Sequence, residues 1–214
     1  MDRRKALKNM GWGLGYAVAT PTLISIVQSC QEQGPDWTPS FFTADEGQAI
    51  RHLVDLILPK TDTPSASELQ IHIFLDTYAN EVMEKKDQDF MKMSMGKFLD
   101  KALADSGKNS VGKLQPEDLE PALSSALKQT KEDETRMFES IMSYQQAVEE
   151  GQAATLDDNT SQFAFANSLR SATIWGYKTS EYIGEEVLAY LPVPGEYIGC
   201  GDLNELTGGK AWSI

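Results

Sequence analysis

From Thr43 onward, apolar residues recur at helical spacing between short polar breaks. Thr43-Ala44-Asp45-Glu46 reads as a capping box, in which the Thr43 side chain takes an orphan amide and Glu46 reaches back. Ile50, Leu53, Val54, Ile57 and Leu58 then share one helical face, and Pro59 ends it. Ile71, Phe74, Leu75, Tyr78 and Val82 form a second face. A third helix is expected over about 87–104, with Phe90, Met91, Phe98, Leu99, Ala102 and Leu103, and methionines at such spacing read first as core filler. Pro116-Glu117-Asp118 opens a fourth, continued by Leu119, Leu123 and Leu127. Met137, Phe138, Ile141, Tyr144 and Val148 make the next face, ended near Gly151, with the charge run 131–134 as a solvated turn or helix start. After a polar linker, 152–160, the pattern is helical again from about Ser161 to Leu191. Gly176 and Gly184 interrupt it, which suggests close packing against another backbone or a kink. No strand alternation is sustained. The prediction is an all-α domain of five or six helices over 43–191.

The breaks carry their own signals. Lys60 to Ser67 is turn-rich, and Asp62, Thr63 and Ser67 can bond nearby amides. It reads first as a structured loop that caps the next helix, and second as a loop facing a partner. Residues 105–115 form a loop. Residues 192–214 cannot continue as helix through Pro192, Pro194 and Gly195, so an irregular tail is expected. Its Tyr197 and Trp212 either fold back on the helices or anchor a partner.

The first thirty residues follow another pattern. Arg3-Arg4 with Leu7 and Lys8 resembles a twin-arginine export signal. The run Met10–Val27 is apolar but broken by glycines and threonines, short of a clean membrane span. Val27-Gln28-Ser29-Cys30 looks like a lipobox. The expectation is a cleaved lipoprotein signal over 1–29, two acyl chains on Cys30, and a tether over 30–42. A permanent single-span anchor and a first helix of a cytosolic domain are the competing readings. The expected location is the bacterial periplasm, lipid-anchored. Gln31 is not an acidic retention signal, which favours the outer membrane over the inner.

Composition narrows the chemistry. The 214 residues carry a formal charge of −13. Residues 1–29 hold four basic residues against Asp2, and taking their +3 away leaves about −16 on the remainder. Such a surface argues against nucleic acid and against electrostatic docking on anionic lipid. With two histidines, two cysteines and no Cys-x-x-Cys-His, covalent haem is excluded and a His/Cys metal site is not expected. If Cys30 is acylated, Cys200 has no partner within the chain. His52, beside the first apolar face, reads as a boundary histidine. The spaced glycines Gly11, Gly13 and Gly15 follow no strand, and no phosphate loop or nucleophile elbow is present. Glu149-Glu150 and Glu185-Glu186 read as solvated faces rather than a hydrolase pair. No catalytic, cofactor or metal residue is therefore assigned. A folded-export signal without a cofactor site of its own implies a co-exported partner.

Several segments resemble the gluconate 2-dehydrogenase subunit 3 family. They are Ile57-Leu58-Pro59-x-Thr61-Asp62-Thr63-Pro64, Phe74-Leu75-Asp76, Trp175-Gly176-Tyr177, Pro192-Val193-Pro194-Gly195, Tyr197-x-Gly199-Cys200 and Lys210-Ala211-Trp212. Ser65-Ala66 departs from the Gly-Ala more usual in the family. The resemblance implies a cofactor-free small subunit of a large FAD-dependent dehydrogenase of the glucose–methanol–choline type. A cytochrome c subunit carrying haem c often accompanies such pairs. The small subunit would assist export, maturation or anchoring of a flavoprotein that oxidises a sugar, sugar acid or polyol. The partner contacts expected are Thr61, Asp62, Thr63, Pro64, Pro194, Tyr197, Cys200 and Trp212. The alternative is a free-standing lipid-anchored ligand-binding protein with Trp175 and Tyr177 in a pocket.

Overall fold

A computed structural model describes residues 37–193, 195, 198 and 200–213. Arg3, Arg4, Cys30, Pro194 and Tyr197 lie outside the described residues. Six main helices follow in order: α1 Ala44–Ile57, α2 Ile71–Glu81, α3 Lys85–Ser106, α4 Pro116–Leu127, α5 Lys131–Glu149 and α6 Asp158–Lys178. The described residues contain no strand, only one isolated bridge. The expected all-α class is what the chain adopts.

Local chemistry sets the boundaries. The Thr43–Glu46 capping box forms in both directions and starts α1. Burial pushes the Glu46 carboxyl up, but hydrogen bonds from Lys92 and the Thr43 amide outweigh it and hold the group below its usual value. Pro116 occupies the first turn of α4, and the Asp118 carboxylate accepts from the Gln115 amide at 2.7 Å. Thr130 starts α5, and Gly151, at φ +72°, follows its end.

The core is built around α6, which packs against α1, α2, α3, α4 and α5. Leu53, Val54, Phe98, Leu119 and Phe165 are fully enclosed, with Phe98 and Phe165 rings 5.1 Å apart. Met95 joins this core, while Met91 is only partly buried against it. α5 differs. It has no buried residue, and Phe138, Met142 and Val148 are exposed.

Two expectations need correction. The final helical stretch does not run to Leu191, because α6 stops at Lys178. There the Thr179 hydroxyl donates to Trp175 O at 2.9 Å and the Ser180 hydroxyl to Tyr177 O at 2.7 Å. These side chains satisfy carbonyls that a continuing helix would use. A single π-helical turn, Ile183–Val187, follows. The tail is also not wholly irregular. Asp202 caps a short helix, α7 Leu203–Thr207, closed by Gly208 at φ +65°. Beyond it the chain folds back: Ala189 N donates to Ala211 O and Ser213 N to Ala189 O, both at 2.9 Å, pairing Ala189 with Trp212.

Candidate functional site

The loop after α1 is fixed from within. Asp55 on α1 accepts from the Ser67 amide at 2.7 Å and from its hydroxyl at 2.6 Å. Ala66 is fully buried, and its amide donates to Leu58 O at 3.1 Å. Glu68 accepts from the Ser65 amide at 2.9 Å and Lys60 Nζ at 2.6 Å, and the Lys60 bond holds its carboxyl below the usual range. Ser67 therefore braces the loop rather than capping α2. That helix starts after Gln70, whose φ of +59° is the one left-handed value among the described non-glycine residues.

A second clamp comes from α6. The Tyr177 phenol donates to Pro64 O at 2.7 Å and lies 2.8 Å from Thr63 Oγ1. Its neighbour Gly176 is buried against α2. A Cβ there would meet Phe74 Cδ1 at 2.9 Å, so the helices close only because that position has no side chain. The close partner is a side chain, not a backbone. Trp175, 46 % exposed, lies over Phe74 and Tyr78 with ring centroids at 5.3 and 5.8 Å.

Asp76 forms the third clamp. It is 1 % exposed and accepts three backbone amides: Ser40 at 2.7 Å, Phe41 at 3.0 Å and Phe42 at 2.9 Å. This ties the segment before α1 to α2. The residue is an acid on a buried stripe with Ile71, His72, Leu75 and Ala79. That placement was the available signal, since a buried carboxylate needs hydrogen-bond donors.

Three separated segments thus meet on one face: the 58–64 loop, Phe74 and Tyr78 of α2 and 175–177 of α6, while buried Asp76 holds residues 40–42 instead. Thr61 and Asp62 are exposed at its edge, and Thr63 and Pro64 are half-buried under Tyr177. Cys200 and Trp212 are exposed in the tail, and no hydrogen bond, ion pair or ring contact joins them to this loop. His52 is half-buried and pairs with the Gln48 amide at 3.0 Å. His72 is buried; loss of water and then the Arg51 charge push its pKa down to about 4. Among the described residues, no group of three His, Cys, Asp or Glu could hold a metal, and no helix is long and apolar enough to cross a membrane.

The family profile of gluconate 2-dehydrogenase subunit 3 matches residues 44–195. The chain belongs to that family. No curated protein and no solved structure matches it. In this subunit 3 chain the matched span holds all three segments of the clamped face. Cys200 and Trp212 lie beyond it.

Proposed function

We propose that this chain is a non-catalytic accessory subunit of a periplasmic, membrane-associated flavin dehydrogenase of the glucose–methanol–choline type. The complex oxidises a sugar, sugar acid or polyol. The FAD belongs to the large partner, and haem c to a further cytochrome subunit where one is present. This chain assists the flavoprotein's export, maturation or anchoring, with a lipid on Cys30 holding the pair at the membrane, the outer one in preference.

The observation that carries this reading is the gathering of the 58–64 loop, Phe74 and Tyr78, and residues 175–177 into one face inside the family match. Rigid aromatics with few rotatable bonds suit an interface. The free-standing ligand-binding alternative needs Trp175 and Tyr177 in one pocket. Instead the Tyr177 hydroxyl is engaged by the loop, and Trp175 covers Phe74 and Tyr78. That geometry favours a contact face. Pro194, Tyr197, Cys200 and Trp212 supply a second contact through the tail.

The test is a strain lacking this chain. The flavoprotein that co-purifies with the tagged chain in the parent strain should then lose its membrane-associated activity and accumulate in the cytosol. Normal export and activity of that flavoprotein would refute the assisting role.

A further inference from the structure

In the loop between α1 and α2, Thr61 and Asp62 stand exposed while the chain on either side of them is held. At the base, Leu58 O accepts from the Ala66 amide and Lys60 Nζ meets Glu68. Asp55 on α1 grips Ser67 through both its amide and its hydroxyl. Tyr177 on α6 reaches Pro64 O from the far side of the sequence. The tip itself closes by the Thr61 amide donating to Thr63 O at 3.0 Å. Surface loops are ordinarily the mobile part of a fold. A tip braced by two helices has lost that freedom before any partner arrives, and a preorganised loop binds more tightly for that reason.

The bond directions set what the tip can receive. A phenol has one proton, and Pro64 O can only accept, so Tyr177 donates there. Its oxygen then takes the proton of the Thr63 hydroxyl, 2.8 Å away, which turns Thr63 inward. Outward stands the Asp62 carboxylate, an acceptor that no hydrogen bond or ion pair joins to another side chain among the described residues. With the exposed Thr61 hydroxyl beside it, the tip is built for hydrogen-bond donors.

We propose that Asp55 and Tyr177 are positioning residues for partner binding, which fix the 61–64 tip so that Asp62 and Thr61 meet donor groups of the dehydrogenase, a guanidinium, an ammonium or backbone amides. This inference rests on the accessory-subunit reading above. Asp55 and Tyr177 act through the loop and do not themselves touch the partner.

The experiment compares tagged full chains from the native host: unaltered, Tyr177→Phe, Asp55→Ala, Asp62→Ala and Thr63→Ser. Two quantities are read on each. One is the flavin absorbance captured per chain. The other is hydrogen exchange over 61–66, with the buried stretch 95–102 of α3 as the reference for global stability. Tyr177→Phe and Asp55→Ala should speed exchange over 61–66, leave 95–102 protected and lower capture roughly five- to tenfold. Asp62→Ala should lower capture with exchange in the loop unchanged. Thr63→Ser keeps the hydroxyl that meets Tyr177 and should capture as the unaltered chain does. If Asp55→Ala also exposes α3, Tyr177→Phe, which keeps its ring, decides. Faster loop exchange with full capture would overturn the inference and leave the subunit reading standing, since the clamps would then serve the fold alone. Unchanged loop exchange in Tyr177→Phe, or full capture by Asp62→Ala, would overturn it as well. An unaltered chain that captures no flavin would overturn both readings.

Discussion

Asp76 is the strongest single test of how the segment before α1 is tied to α2. Its carboxylate holds three amides at 2.7–3.0 Å from a site that is 1 % exposed. A hydrogen bond to a charged group contributes about 1.5–3 kcal/mol, and an orphaned buried donor costs about 1–3 kcal/mol. Two of the three bonds share Oδ1, and only the Phe42 bond is fully buried, so simple addition overstates the sum. Asp76→Ala should therefore destabilise by about 3–5 kcal/mol, a large part of an ordinary domain's stability. Asp76→Asn keeps one oxygen, which can accept from Phe41 and Phe42 while its amide faces the Ser40 N–H. Its cost should be about half, roughly 1–3 kcal/mol. Urea unfolding of the purified chain gives both values, and hydrogen exchange at residues 40–42 localises the effect. An Ala variant costing under about 1 kcal/mol, or an Asn variant as costly as Ala, would refute the three-donor geometry.

Other perturbations test the remaining contacts. Tyr177→Phe should cost about 1–2 kcal/mol and raise exchange in residues 61–66, read by denaturation and exchange together. Gly176→Ala should be destabilising by about 1–2 kcal/mol, since overpacking against Phe74 outweighs the gain in helix propensity; Phe74→Leu should rescue it. The pKa of His72, about 4 folded against an ordinary 6.5, gives a signed pH dependence. The unfolded chain binds the proton first, so stability is full above pH 6.5 and falls toward pH 4, by roughly 3 kcal/mol. Denaturation between pH 7 and 4 should show this slope, and His72→Gln should remove it.

The helices were legible where a local device marks them. Thr43 with Glu46, Pro116 with its acids and Gly151 each act within four residues, and each boundary falls where they put it. The short α7 was hidden because five residues carry no periodicity, and only the Asp202 cap and Gly208 announce it. The end of α6 was hidden because the apolar pattern continues through Tyr182 and Ile183, while hydroxyls of Thr179 and Ser180 take the terminal carbonyls. Periodicity marked Val82 and Phe138 as facing a core, yet they are 61 % and 43 % exposed. Among the described residues α5 packs mainly on α6, and spacing alone does not show how many neighbours a helix finds. The loop residues Thr61 to Pro64 stood out through the family resemblance, but their clamp is a bond between Pro64 and Tyr177, 113 residues apart. Such a bond leaves no local trace.

The central claim is that this subunit 3 chain works bound to a flavin dehydrogenase. Its most direct test is capture of the tagged full chain, solubilised in detergent from its native host, with an absorbance spectrum and mass spectrometry of the eluate. Such a subunit should give a yellow eluate with flavin absorbance and a large flavoprotein in near-equal amount. A colourless eluate holding this chain alone would contradict it.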